Sequence, residues 1–224
     1  MPVDTAVGPG RLYVNDTASA ARAATLLLGH GAGGGVDAPD LSLLAGRLPS
    51  LGVRVLRFEQ PWRTAGKKVA VAAPRLDQAW RAAVDTVLGW GQADGRLFFG
   101  GRSAGARVAC RTAPEYDVAG VVCLAFPLHP PGRPDRSRAA ELLTPAVPRL
   151  VLQGSSDAFG GPDEVREATA QSLSRNGGQI RIVELPGADH GFRLAKSAPL
   201  TPADLRELVV AEVSAFIGVD QQQP

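Results

Sequence analysis

No apolar run in this 224-residue sequence approaches the roughly 18 residues that a membrane helix requires. Residues 1–10 also lack the positive region and apolar core of a signal peptide, so a soluble, cytoplasmic protein is expected. Cysteine is scarce. Cys110 and Cys123 each sit among apolar neighbours, read as small core residues and suggest no metal site. An excess of charge is missing too: 24 Lys plus Arg stand against 22 Asp plus Glu, with the signs interspersed. Without a basic run or aromatic-basic interleaving, neither nucleic acid nor a membrane surface is expected as a partner. There is no G-x-x-x-x-G-K-[ST] phosphate loop, no metal-ligand cluster and no carboxylate pair at strand ends for glycoside work, so no cofactor and no metal are expected. Internal repeats, low-complexity tracts and interdomain linkers are likewise missing.

What is present is a 45% hydrophobic chain, enough to bury a full core without disulfides or metals. One α/β domain is expected over residues 1–218, with 219–224 a polar, disordered tail. Arg11–Asn15 reads as an edge strand and residues 16–23 as a turn. Buried strands are expected at Ala24–Leu28, Val53–Phe58, Leu97–Gly100, Ala119–Phe126, Arg149–Gln153 and Ile180–Leu185. Between them, helical spacing predicts Asp40–Leu48 with Asp40 as cap, Arg75–Trp90, Ser103–Thr112, a short helix near Arg138–Leu143, Pro162–Asn176 and finally Pro202–Ile217. In the second of these the buried stripe is Leu76, Ala79, Trp80, Ala83, Val84, Val87 and Leu88. This alternation implies a mostly parallel central sheet with helices on both faces, and with the loops after the strands gathered at one edge.

The chemistry concentrates in those loops. Gly101-Arg102-Ser103-Ala104-Gly105 is G-x-S-x-G between a strand and a helix, where a serine on so tight a turn needs neighbours without side chains. A nucleophilic serine requires a base and a group that orients the base. Asp157 follows the strand Arg149–Gln153, and His190 follows Ile180–Leu185. Asp163 reads instead as a helix-start charge, and Asp189 is too near His190 in sequence to reach behind its ring. A tetrahedral intermediate needs two backbone donors, expected from Ala104 and from Ala32 or Gly33 of the loop Gly29-His30-Gly31-Ala32-Gly33-Gly34-Gly35.

His30, Arg102, His129 and Phe192 are the further cleft candidates. His30 reads as a brace of the glycine loop, His129 as packing against prolines, and Arg102 as the partner of an acid such as Glu59. A rival reading takes residues 29–34 as the G-x-G-x-x-G of a dinucleotide site with Glu59 as its ribose acid. It leaves Ser103, Asp157 and His190 unexplained, and Gly35 and Pro39 delay the next helix.

With these residues in view the chain resembles the α/β-hydrolase superfamily over nearly its whole length. Within it the chain is similar to the dienelactone-hydrolase-like branch related to the testis-expressed and NSL-complex regulatory-subunit hydrolase-like proteins. The residues that carry this are Leu28–Gly33, Arg57-Phe58-Glu59, Gly100–Ser103, Leu152-Gln153-Gly154, Asp189-His190 and the proline-rich Phe126–Pro134. The resemblance implies a cap-poor hydrolase fold with Ser103 as nucleophile. Dienelactone hydrolases proper carry cysteine there, so their substrate does not transfer. The expected activity is hydrolysis of a small-molecule ester, thioester or related acyl substrate. The residues between Phe126 and Arg149 are too few for a large lid, so the cleft should be open. Some relatives serve as non-enzymatic parts of larger assemblies, and a catalytically silent interaction module is the alternative. Oligomeric state is not legible.

Overall fold

The computed structural model describes residues 1–18, 22–89, 95–170 and 179–219. Its strands are β1 (Pro2–Val3), β2 (Gly10–Asn15), β3 (Ala24–Gly29), β4 (Val53–Glu59), β5 (Arg96–Arg102), β6 (Gly120–Leu124), β7 (Arg149–Gly154) and β8 (Ile180–Leu185). The helices are α1 (Pro39–Arg47), α2 (Pro61–Thr64), α3 (Ala73–Gly89), α4 (Ala104–Thr112), α5 (Ala139–Leu142), α6 (Pro162–Ala170) and α7 (Pro202–Ile217). The strands form one sheet in the order β1-β2-β4-β3-β5-β6-β7-β8. β3 to β8 run parallel, and β2 pairs antiparallel with both β1 and β4.

Both faces of the central strands are buried because β3, β5, β6 and β7 are mostly apolar, with alternate residues assigned to opposite sides. Leu27, Leu56, Phe99, Val121, Cys123 and Val151 pack with α3, α4, α5 and α6. Leu26, Leu28, Val53, Val55, Phe98, Val122, Leu124, Leu150 and Leu152 pack with α1 and α7. Trp80 of α3 is fully buried and meets Phe58 and Phe99 edge-on. On the same face Arg111 of α4 bonds Asp77 of α3 at 2.6 Å and Glu141 of α5 at 2.7 Å, and Glu141 also accepts from Arg107.

The order of the strands fixes where the site lies. From β3 the chain crosses through α1 to β4 on one side, and then returns through α3 to β5 on the other. The reversal falls between β3 and β5, whose carboxyl ends meet where Gly29 pairs with Gly101. Ligands of open α/β sheets bind at such a reversal.

Several expectations change. β2 is not an edge strand, because the two-residue β1 covers its outer side; so short a strand leaves no periodicity to read. Asp40 does not cap α1. The cap is Ala38, without a side-chain bond, and Pro39 opens the helix. Leu88 of α3 is exposed although it continues the apolar stripe. The strand expected to reach Phe126 stops at Leu124, because Ala125 turns to a positive φ of 49°. Short α2 carries no helical repeat in sequence. The end of the helix expected over 162–176 and the tail 220–224 lie outside the described residues, as does Trp90. Among the described residues no helix is long and apolar enough to cross a membrane.

Candidate active site

The site is assembled at the carboxyl ends of β3, β5, β7 and β8. β5 runs into α4 through Ser103, whose backbone is held at φ 52° and ψ −111°. A non-glycine residue in that region costs about 1–3 kcal/mol and persists only where its surroundings impose it. The imposing contacts are close: a Cβ on Gly105 would lie 2.2 Å from the Gly29 carbonyl oxygen, and one on Gly101 would lie 2.6 Å from the same atom. Backbone therefore crosses backbone at the turn, with the Ser103 amide donating to Leu124 O at 2.9 Å.

The loops after β7 and β8 are fastened to each other. Ser155 N–H donates to Leu185 O, Ser156 N–H to Ala188 O, and Gly187 N–H to Ser155 Oγ at 2.7 Å. This brings Asp157 and His190 together. His190 Nδ1 lies 2.8 Å from Asp157 Oδ2, and His190 Nε2 lies 2.9 Å from Ser103 Oγ. A carboxylate only accepts, so Nδ1 carries the hydrogen and Nε2 is left to accept from the serine hydroxyl. The Asp157 side chain is 0% exposed, whereas that of His190 is 23% exposed. Phe159 lies against the imidazole at 4.1 Å between ring centres, tilted by 30°.

The remaining Asp157 lone pairs are also occupied. Oδ1 accepts from Phe159 N–H at 2.8 Å, and Oδ2 accepts from the buried Gln153 amide at 2.9 Å. The same Gln153 nitrogen donates to Gly160 O and Phe126 O, so it ties the Asp157 loop to the end of β6. Sequence reasoning left Gln153 without a role. Its signal was an uncharged polar residue ending the apolar run Leu150-Val151-Leu152, where a buried amide nitrogen needs acceptors. Asp189 turns away from the imidazole and accepts from Gly191 and Arg193 N–H. Asp163 stands in the first turn of α6, paired with Arg166.

The glycine loop lies against the turn: a Cβ on Gly31 would come 3.6 Å from Ser103 Cβ. Ala32 and Ala104 line one small pocket, partly open to solvent, together with Gln60, Trp62, Leu76 and Trp80. Around Gly33 and Gly34 the space is open. α1 starts only at Pro39, so the glycine loop does not run directly into a helix N-terminus as a dinucleotide site requires.

His30 is buried, with Nε2 accepting from Gln60 N–H at 3.1 Å and Nδ1 2.9 Å from Gly31 O. Burial pushes its imidazole down from the ordinary histidine value. The unfolded chain therefore holds more proton than the folded one as pH falls below about 6.5, and folding stability should decline over that window until the folded value is passed. Urea midpoints between pH 7.5 and 5 should fall more steeply for the wild type than for His30→Gln. Equal slopes would refute the assignment. His129 holds Glu164 of α6 at 3.0 Å through Nε2 and faces Pro130 O through Nδ1. Its ring thus clamps the proline-rich loop to α6.

Arg102 does not pair with Glu59. β3 intervenes between β4 and β5, and Glu59 accepts from Tyr13 instead at 3.2 Å. Arg102 turns to the other side, where Nη2 donates to His190 O at 2.5 Å and Nε lies 3.5 Å from Asp40 Oδ2. Its guanidinium carbon stands 5.6 Å from the ring centre of Phe192, itself at φ 56°. Among the described residues no three His, Cys, Asp or Glu side chains are grouped to hold a metal. Cys110 and Cys123 are buried with their sulfurs 3.5 Å apart.

The model of one family, described as an alpha/beta hydrolase domain, matches residues 22–218. Among solved structures the chain is similar to an alpha-beta serine hydrolase homologue from Coxiella burnetii, at 20% identity and TM-score 0.71, covering 94% of this chain and 95% of that one. An a/b serine hydrolase without lid from Xanthomonas campestris matches at 22% identity and TM-score 0.69, covering 98% and 95%. A dienelactone hydrolase from Anabaena variabilis matches at 19% identity and TM-score 0.71, covering 98% and 96%.

Proposed function

The chain belongs to the alpha/beta hydrolase family, and from that premise we propose that it is a serine hydrolase cleaving a small ester, thioester or related acyl substrate. The observation that carries this reading is the pair of short hydrogen bonds from Ser103 to His190 and from His190 to Asp157. Binding alone would require neither.

In the proposed reaction Ser103 Oγ attacks the acyl carbon while its proton passes to His190 Nε2. Asp157 holds the imidazole in the accepting tautomer and stabilises the imidazolium that forms. The carbonyl oxygen becomes an oxyanion between the N–H of Ala104 and that of Ala32 or Gly33. Ala104 is suited to this because the first N–H groups of a helix have no intrahelical partner and lie at its positive end. The proton on Nε2 then goes to the leaving alcohol or thiol, which departs as the C–O or C–S bond breaks and leaves the acyl group on Ser103. Water repeats the sequence, giving its proton to Nε2 and its oxygen to the acyl carbon, and Ser103 is released as hydroxyl.

Small substrates are favoured because the segment from Phe126 to Arg149 carries only the four-residue α5 and is pinned by His129. A carboxylesterase or thioesterase, class EC 3.1, is the best-supported activity. Kinship with the testis-expressed and NSL-complex proteins, carried by Phe126–Pro134, and a cytoplasmic location belong to the same proposal. A fluorophosphonate probe should label the wild type and not Ser103→Ala. A folded wild type that stays unlabelled would leave the silent interaction module as the better reading.

A further inference from the structure

Arg102 immediately precedes the serine, yet its side chain bonds the backbone of a residue 88 positions later in the chain. The bond ends on the carbonyl of His190, whose ring nitrogens already face Ser103 and Asp157. The imidazole is thereby held from three directions, and one hold comes from the strand that carries the nucleophile. Asp40, in the first turn of α1, brings that helix behind this contact. Its side chain is 4% exposed and that of Arg102 is 12% exposed, so the two charges are largely removed from water beside each other. Asp40 Oδ1 accepts from Leu41 N–H, whereas Asp40 Oδ2 and Arg102 Nη1 have no hydrogen-bond partner among the described residues.

We infer that Arg102 and Asp40 form a positioning pair for His190, in which Arg102 ties the base to the nucleophile's strand and Asp40 balances the charge this brings to the site. The inference rests on the serine-hydrolase reading for its kinetic consequences but not for its geometry. A lone guanidinium this close would disfavour the imidazolium that catalysis passes through, and the neighbouring carboxylate removes that penalty. The charged groups around His190 are Asp157 from the loop after β7, Asp40 from α1, Arg102 from β5, and Asp189 and Arg193 of its own loop. Burial raises the Asp40 carboxyl above its ordinary value, and Arg102 foremost, with the backbone amides of Leu41 and Asp40 and then His190, opposes that rise by favouring the charged form.

The test uses the full chain and four proteins. Asp40→Asn leaves Arg102 uncompensated, so the acidic limb of the kcat/KM profile on p-nitrophenyl acetate should move down by about half a pH unit. Adding Arg102→Gln to that variant should return the limb to the wild-type position. Arg102→Lys keeps the charge but loses the planar fork, so it should lower kcat about tenfold with the limb unmoved and KM little changed. A purely structural role would lower activity without this pattern of shifts. A limb that does not move in Asp40→Asn, or full kcat in Arg102→Lys, overturns the inference. The chain holds three histidines, so a nitrogen-15 histidine NMR titration of the same variants reads the His190 midpoint without turnover. If the wild type proves inactive the hydrolase reading fails, and the direction of those midpoints alone decides the pair.

Discussion

His190→Ala is expected to lower kcat/KM on a short-chain ester by about 10⁴-fold or more, and Asp157→Ala by about 10³–10⁴-fold. The double variant should be no worse than His190→Ala alone. Asp157 is wholly buried, and its two oxygens are taken up by His190, Gln153 and the Phe159 amide. It has no route to the substrate except through the imidazole, so its effect should vanish once the imidazole is gone. Steady-state kinetics of the two single variants and the double variant form the cycle that checks this. Additive losses would mean that Asp157 acts on the reaction independently of His190. Loss of Asp157 should also cost stability, since it leaves the part-buried Phe159 N–H without its acceptor, and an unsatisfied buried donor costs about 1–3 kcal/mol.

The second large effect concerns the serine turn. Gly105→Ala would set a Cβ 2.2 Å from the Gly29 oxygen and 2.4 Å from the Gly29 carbonyl carbon. Both are backbone atoms of a central strand, so no rotamer change relieves the overlap; α4 must move away from β3. A loss of about 4 kcal/mol or more is expected, which for a chain of this length lowers Tm by about 8–16 °C. The label at Ser103 should be lost with it, because the displaced turn no longer faces His190. Gly46→Ala is the control. It lies within α1 with nothing inside 4 Å of the new methyl, and should hold or raise Tm. Similar Tm values for the two variants would contradict the close-crossing account.

Much of this arrangement was legible in residue order. β3, β5, β6 and β7 were visible as short, mostly apolar runs, because a strand buried on both faces has to be largely apolar, while β4 and β8 showed through their β-branched and apolar residues between polar ones. Helices α3 and α7 announced themselves through their stripes. Ser103, Asp157 and His190 stood out because each ends or follows such a run, and parallel strands bring every following loop to one edge. Less was visible where structure depends on pairing at a distance. β1 is two residues whose only signal is the strand beside it. Asp40 looked like a helix cap, since an acid before an apolar stripe usually is one, but its carboxylate is turned toward Arg102.

Sequence alone thus determined the longer elements, the loops that carry chemistry and the order serine, acid, histidine. These follow from local periodicity and from residue types that few other positions tolerate. The tertiary structure decided which polar groups meet. Only the strand order, with β3 between β4 and β5, separates Arg102 from Glu59 and turns it to Asp40 and the His190 carbonyl. Only the stacking of the loops after β6 and β7 gives Gln153 its three acceptors. Hydrogen bonds act over about 3 Å in space, and no spacing along the chain encodes that distance when the partners are 88 residues apart.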